Sequence, residues 1–311
     1  MLFREKIQFG LIIFLFILLT LLIVHTGFYK PFIYNINNEK LENNTNYLCE
    51  SYTILDDHFK GEISQEFHIK LIKYNDKTID EKEIKKILNE AFFEFNYSFV
   101  ISGNTLTVDI DSSKIYNIKD DIFLPFDTDE FIELHILPNN IKFQREVYQN
   151  AYLYGKADGI PGETPYSTSL FVRDSFLYTN VLVHEMGHVL GLLHTFEGYD
   201  IFNMGLNCDT GDKVPDTITP NNKASVGVKS CKMYLPKELE KDTTWSEEKK
   251  ENAVENYMSY SPANCMKRFE EGQVEKSRKA LEQNRELQKV TTNWRQKMRT
   301  IKSKYEYKEI K

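Results

Sequence analysis

The feature that most constrains this 311-residue chain is an eleven-residue segment that places three of its seven histidines at fixed offsets. Residues 184–194 read HEMGHVLGLLH. On a helix, His184 and His188 lie one turn apart on one face. The opposite face is apolar and carries Leu182, Met186, Val189 and Leu190. The segment therefore predicts an amphipathic helix with two imidazoles on its polar face, which ends near Gly191.

The spacing of these histidines also allows them to bind one metal ion. Two imidazoles one turn apart can bind one Zn²⁺. Gly191 tolerates a positive φ, so the chain can turn there and bring His194 round as a third ligand. Glu185 lies beside this face and can reach a water molecule on the ion without being a ligand. Three nitrogen donors leave a fourth position open, which is the pattern of a catalytic rather than a structural zinc site.

A second feature is an apolar run near the start of the chain. From Phe9 to Val24 only two residues interrupt Leu, Ile, Phe and Val, and two basic residues precede the run. This order is typical of a secretory signal or of an uncleaved signal anchor. The lack of a small-x-small cleavage site favours the anchor. In both interpretations, residues 1–27 send the rest of the chain out of the cytoplasm, either anchored at the cell surface or secreted.

The charge is unevenly distributed along the chain. Residues 267–311 hold 14 Lys and Arg against 7 Glu, so the net charge of −7 leaves −14 on residues 1–266. An acidic body argues against nucleic-acid binding. The basic excess fits a solvated helix and tail, and residues 291–311 are predicted to be a basic C-terminal tail.

The pattern of residues 62–137 predicts strands mixed with a helix. Residues 28–61 are polar without a clear period and suit a stalk or a short pro-segment. Alternation predicts strands at Glu66–Tyr74, Ser98–Ser102, Asn104–Ile110 and Phe131–Leu137, with an acidic loop around Asp120–Asp129. Asp80 and Glu83 predict the start of a helix that buries Ile84, Leu88, Ala91, Phe92 and Phe95. The fold class is therefore α+β, with a mixed sheet and helices packed against it.

Several motifs together resemble one family. HEMGHVLGLLH resembles the signature of the metzincin zinc peptidases, and the following Thr195-Phe196 is similar to their pappalysin-like (cytophagalysin) branch. Asn256-Tyr-Met-Ser-Tyr260 resembles the Met-turn of that branch, N-[YF]-M-D-Y. Ala157–Ile160 and Cys265–Gln273 are similar to further runs of the branch, so the resemblance covers about residues 62–290.

This resemblance implies a zinc endopeptidase that acts on protein or peptide substrates. It implies a metzincin-like domain at 62–290, in which a mixed twisted sheet, a backing helix and an active-site helix form an N-terminal subdomain at 62–194. A more irregular C-terminal subdomain at 195–290 carries the Met-turn and ends in a helix. Glu185 would be the general base, Met258 would lie beneath the zinc, and Tyr260 would donate a hydrogen bond to the oxyanion. The alternative is a non-catalytic zinc-binding or adhesion protein of the cell surface.

The resemblance also bears on a second ion. Residues 208–217 resemble a run in which oxygen donors hold Ca²⁺, so Asp212, Val214 and Thr217 are a candidate calcium site. The same residues equally suit a polar loop closed by Asx-turns.

The chain departs from the branch in its cysteines. The branch carries four cysteines in two crossed disulfides here, but only Cys208, Cys231 and Cys265 are present. Cys231 could pair with Cys208 or with Cys265. Cys49 could pair with the remaining cysteine, or could bind the zinc as an inhibitory thiolate.

By analogy with the family, the substrate is expected to lie along a sheet edge formed by Ser169–Arg173. The residues after the Met-turn, Ser261–Asn264, include no carboxylate, so no preference for basic substrate residues is expected.

Overall fold

The computed structural model describes part of one unit of the chain, Leu48–Lys311. The described residues are 64–74, 76–126, 130–149, 152–162, 166–196, 211–214, 216–217, 227–234, 246–294 and 296. The predicted signal or anchor at 1–27, the predicted stalk at 28–61, Cys49 and Cys208 lie outside them. Within the described part of the chain, no helix has both the length and the apolar character needed to cross a membrane.

A six-stranded mixed sheet organises the N-terminal half. Its strands are β1 (Gln65–Lys73), β2 (Tyr97–Ile101), β3 (Leu106–Thr107), β5 (Ile132–Leu137), β7 (Gly155–Ala157) and β8 (Ser169–Arg173). The order is β2-β1-β5-β8-β7, and β3 continues beside β1. All pairs are parallel except β7–β8. In this order β7, the one antiparallel strand of the described sheet, lies at one end. Two further short strands, β4 (Ile115–Tyr116) and β6 (Lys142–Phe143), pair with each other, and α2 (Gln144–Gln149) follows.

The backing helix forms as the pattern predicts. Helix α1 spans Glu81–Ala91, and the Asp80 side chain caps it by accepting hydrogen bonds from the amides of Lys82 and Glu83. Ile84 and Leu88 are fully buried against the sheet. The helix ends before Phe95, which lies instead in a 3-10 turn at Phe93–Phe95. Phe92 packs its ring against Phe95, Phe99 and Phe269. These residues belong to the larger hydrophobic core, which is called the main core below.

A second apolar core lies on the opposite face of the sheet. Residues from the predicted acidic loop contribute to this core, and the prediction of a loop there is wrong for the segment up to Phe126. Ile118–Phe123 forms a π-helix and Leu124–Phe126 a 3-10 helix, while residues 127–129 lie outside the described part. The Asn117 side chain caps the π-helix by accepting from two amides. Ile122 and Phe123 are buried in the second core, and this burial outweighs the acidic composition.

Two strand predictions are wrong. The predicted strand Asn104–Ile110 is reduced to Leu106–Thr107, because its partner β1 ends at Lys73 and offers no further residues to pair with. The expected edge strand Ser169–Arg173 is an interior strand, since β8 pairs with β5 on one side and with β7 on the other. All five of its residues are buried. Its backbone therefore has no open side that a substrate strand could join.

The described part of the C-terminal half is irregular and ends in helices, as predicted. It contains the hairpin β9 (Gly227–Lys229) and β10 (Lys232–Tyr234), followed by α4 (Glu247–Glu255), α5 (Glu271–Gln283) and α6 (Arg285–Lys289). Cys231 is bonded to Cys265, which resolves the choice that the sequence left open for Cys231. The chain then returns to the sheet, where Thr291 bridges to Phe67 of β1 and the Thr292 hydroxyl bonds with Glu66.

Two adjacent phenylalanines test this packing. Phe92 is fully buried, whereas Phe93 is 78% exposed. Phe92→Ala should lower the free energy of unfolding by about 3–5 kcal/mol, because it removes buried apolar surface and leaves a cavity. Phe93→Ala should change it by no more than about 0.5 kcal/mol. Urea unfolding of the two variants measures the difference, and equal losses would contradict the described packing.

Candidate metal centre

The helix that carries the histidine motif is buried almost throughout. Helix α3 spans Asn180–Val189, and the Thr179 side chain caps it by accepting from the amide of Val181. Every residue from Leu182 to Val189 is buried. As predicted, Leu182, Met186, Val189 and Leu190 belong to the main core. Two imidazoles and a carboxylate are therefore held where water is largely excluded, which requires each of them to have polar partners.

The three predicted histidines meet at the end of this helix. One ligand nitrogen from each of His184, His188 and His194 can be chosen so that all three atoms lie within 4.8 Å of one another. Gly191 has φ +94°, so the chain leaves the helix through the predicted left-handed residue. This turn brings His194 Nε2 to 3.1 Å from His188 Nε2. The arrangement could hold one metal ion.

Backbone carbonyls orient two of the rings. His184 Nδ1 lies 2.7 Å from the Tyr257 carbonyl oxygen, and His188 Nδ1 lies 2.7 Å from that of Leu192. A carbonyl only accepts, so each Nδ1 donates and each Nε2 keeps its lone pair. Burial lowers the pKa of His184 to about 3 and holds the pKa of His188 well below its usual value, in both cases with the neighbouring histidines adding to the effect. Both imidazoles are therefore neutral at pH 7, as metal ligation requires.

Glu185 is fixed against the edge strand. Its Oε2 accepts a hydrogen bond of 3.0 Å from the amide of Ala157 in β7. A β-carbon added at Gly155 would lie 2.7 Å from Glu185 Cγ, so only glycine lets the carboxylate approach the strand this closely. Burial raises the pKa of Glu185 to about 8, and the Ala157 hydrogen bond and Lys156 oppose that rise.

The predicted Met-turn lies beneath the helix. Met258 is fully buried in the main core, and its carbonyl accepts from the amide of Thr195 at 3.2 Å. A β-carbon added at Gly187 would lie 2.5 Å from Met258 Sδ. The two elements thus pack without room for a further methyl group, and this contact sets the height of the helix above the turn.

A buried amide network supports the Met-turn from the other side. Gln273 of α5 is fully buried and exchanges hydrogen bonds with the Asn256 side chain. Asn256 Oδ1 in turn accepts from the Met258 amide at 2.8 Å. Gln273 also donates to Asp212 Oδ2 at 3.2 Å. The network therefore links the Met-turn to the loop that contains Asp212.

Tyr260 lies beside the histidines with its side chain 48% exposed. Its ring centroid is 4.7 Å from that of His194 and 5.9 Å from that of His184. Phe196 stacks on His194 at 4.8 Å and contacts Tyr260 at 4.6 Å. The predicted tyrosine is thus close to the metal-binding face, with an exposed side chain.

The candidate calcium residues form a closed hydrogen-bonded loop. Asp212 Oδ1 accepts from the Thr217 hydroxyl at 2.5 Å and from the Val214 amide at 3.2 Å. Lys276 Nζ donates to the Asp212 carbonyl at 2.7 Å. Burial raises the pKa of Asp212 to about 7. These contacts are those of the Asx-turn alternative, and calcium at this loop stays a prediction.

Comparisons with known proteins agree with this geometry. Residues 166–282, which include the histidine motif and the Met-turn, match the M43 peptidase family, described as pregnancy-associated plasma protein-A. Over these residues the chain is similar to the pappalysin-like metallopeptidases. An extracellular metalloprotease of Podospora anserina is 28% identical over 209 residues. That alignment covers 60% of this chain and 60% of the relative, so the chain matches less than two thirds of the relative's length.

Two solved structures are similar to parts of this chain. Mirolysin in complex with a small compound is 18% identical, with 74% of this chain and 98% of that chain covered and a TM-score of 0.48. Metalloproteinase-II from Bacteroides fragilis is 16% identical, with 51% and 50% of the two chains covered and a TM-score of 0.27.

Three residues of the site were not predicted from the sequence. Gly155 and Gly187 are required by close contacts between distant segments, and Gln273 by a buried network. Gly187 lies inside the histidine motif, so the motif itself held a signal. Gly155 lies two residues before the Ala157–Ile160 run and has no comparable local signal.

The contact between Gly187 and Met258 can be tested by a double substitution. Gly187→Ala should destabilise by about 1–3 kcal/mol through overpacking, and Met258→Ala by about 2–5 kcal/mol through a cavity. In the double variant the new methyl group occupies part of the vacated space, so the total loss should be smaller than the sum by at least about 1 kcal/mol. Urea unfolding with a chelator present keeps metal affinity out of the comparison. Strict additivity would show that the two residues do not touch.

Proposed function

We propose that this protein is a zinc-dependent endopeptidase that acts outside the cytoplasm. The single observation that supports this most strongly is the placement of Glu185, whose carboxylate is buried beside three convergent histidines and held by an edge strand. A purely structural metal site has no use for a buried carboxylate at that position. The family match over residues 166–282 supports the same function.

The donor set fits zinc. Three imidazoles, two of them kept neutral and oriented by backbone carbonyls, are ligands that Zn²⁺ prefers, and they leave room for a fourth ligand. A zinc ion bound there supplies a Lewis acid and turns water into a nucleophile at neutral pH. His184, His188 and His194 would hold it.

Glu185 would move the proton. Ala157 holds Oε2, so Oε1 is the atom that takes the proton from the attacking water and returns it to the leaving amine. Tyr260, beside His184 and His194, would donate a hydrogen bond to the oxyanion. Its exposed side chain can adjust to a substrate.

The substrate would bind at β7 rather than at β8. Strand β7 ends the sheet, and the amide of Ala157 points toward Glu185 instead of toward β8. An extended protein or peptide substrate that adds to this edge would therefore cross directly in front of Glu185.

The broader organisation follows the same proposal. The catalytic domain would comprise residues 62–290, divided at 194, with 28–61 before it and a basic tail at 291–311. The apolar run in residues 1–27 and the extracellular description of the Podospora anserina relative support a location outside the cytoplasm, either secreted or at the cell surface. Calcium at Asp212, Val214 and Thr217 would add to the loop's stability.

Removing the metal or the base tests the function. The full-length protein should cleave casein, and a chelator should abolish cleavage until zinc is restored. Glu185→Gln should lower kcat by at least about 100-fold, because it removes the proton acceptor. Stoichiometric zinc retained by Glu185→Gln is the control that separates lost catalysis from a lost site. Equal cleavage by the wild type and Glu185→Gln would rule out the peptidase and leave the adhesion alternative.

Gly155→Ala tests the edge-strand contact separately. The added methyl group would overlap Glu185 Cγ and lie 3.0 Å from the Phe171 carbonyl oxygen, so the carboxylate must shift. We expect kcat to fall by about 10-fold or more, while the zinc content stays at the wild-type level. Phe93→Ala is the control, because it truncates a side chain that is 78% exposed and touches none of the proposed site residues. Full activity of Gly155→Ala would contradict the proposed position of Glu185.

A further inference from the structure

Two half-exposed tyrosines lie immediately before the edge strand. Tyr152 is 49% exposed and Tyr154 is 51% exposed. Their ring centroids are 5.4 Å apart, and Tyr154 lies 4.5 Å from Phe176. Phe176 packs against the main core and so fixes the inner end of the row. These three residues, Tyr152, Tyr154 and Phe176, are called the aromatic shelf below.

A buried cation holds the shelf in place. Arg173 is fully buried, and its guanidinium lies 4.3 Å from the centroid of the Tyr152 ring. It donates two hydrogen bonds to Glu146, at 2.7 and 2.9 Å, and one of 2.7 Å to the Leu153 carbonyl between the two tyrosines. Glu146 also accepts from the Leu153 amide at 2.8 Å. The segment that bears the tyrosines is thus fixed from both its backbone and its side chains.

This rigidity matters for binding. Ordering a mobile side chain on association costs about 0.5–1.5 kcal/mol, and a surface that is already ordered avoids that cost. Aromatic faces of this kind bind other rings through offset or edge contacts in addition to apolar burial.

The shelf adjoins the proposed catalytic carboxylate along the strand. Tyr154 directly precedes Gly155, the residue whose added β-carbon would touch Glu185. Residues 177–179 separate the 3-10 turn Asp174–Phe176 from helix α3, so Phe176 of the shelf lies close to the start of that helix, while His188 lies near its end. A substrate strand rises about 3.3 Å per residue, so a side chain one or two residues from the cleaved bond can reach Tyr154.

The charges around the shelf are paired. Glu146 is bound by Arg173, and Asp174 lies 3.4 Å from Lys77 Nζ. Among the described residues around the shelf, both carboxylates therefore have a cationic partner, and the exposed surface consists of aromatic faces.

We propose that the aromatic shelf is a specificity subsite, and that it selects peptides with an aromatic residue on one side of the cleaved bond. This proposal rests on the proposed peptidase function and names its substrate class. Tyr154 is the residue that determines the preference, because it is the exposed member nearest Gly155.

The test uses quenched fluorescent peptides that differ only in one residue, which lies one or two positions from the cleaved bond. The full-length zinc-loaded protein should cleave peptides with Phe or Tyr at that position with a kcat/KM about tenfold above that for Ala. Tyr154→Ala should reduce this ratio to about two and leave kcat/KM for the alanine peptide within about twofold. Phe93→Ala, which removes an exposed ring in the turn after α1, should keep the wild-type ratio.

A binding measurement separates the subsite from catalysis. In the Glu185→Gln background, which leaves the peptides uncut, the same preference should appear in the Kd values and should again be lost with Tyr154→Ala. An unchanged ratio in Tyr154→Ala, or a preference for Arg or Lys at the position, would overturn the subsite. Cleavage that is equal in the wild type and Glu185→Gln would instead overturn the peptidase function, so the two failures are distinguishable.

Discussion

The structure depends on the burial of two imidazoles and one carboxylate on a single helix. Buried polar groups must be satisfied, and here each is satisfied by a backbone group from a different segment. The Tyr257 carbonyl in the Met-turn binds His184, the Leu192 carbonyl after the helix binds His188, and the Ala157 amide in β7 binds Glu185. These three hydrogen bonds offset the free-energy cost of burying the polar side chains. The same hydrogen bonds therefore also fix the geometry of the site.

Close packing completes this constraint. Met258 leaves no space for a methyl group at position 187, and Glu185 leaves none at position 155. The helix is thus held between the Met-turn below it and the edge strand beside it. Because the interior is close-packed, a small shift at either glycine would be transmitted to the histidines and to Glu185. Behind the Met-turn, the Gln273–Asn256 network supplies a rigid base for it.

Periodicity and spacing predicted the parts of this arrangement that depend on local sequence. The helix cap at Asp80, the apolar face of α3, the left-handed Gly191 and the convergence of the three histidines all follow from residues close to one another in the chain. The interior position of β8 does not, because strand order is set by which segments pair across the whole sheet. The helical character of Ile118–Phe123 was hidden by its acidic residues, since composition does not show that Ile122 and Phe123 find a buried core.

We propose that three histidines of this chain hold one zinc ion beside a buried carboxylate. X-ray absorption at the zinc edge of the full-length protein tests it most directly, because the method reports the ligands without requiring a substrate. We expect one zinc per chain, bound by three imidazole nitrogens at about 2.0–2.1 Å with one further light-atom ligand. Substoichiometric zinc, or a first shell with fewer than three imidazoles, would contradict it.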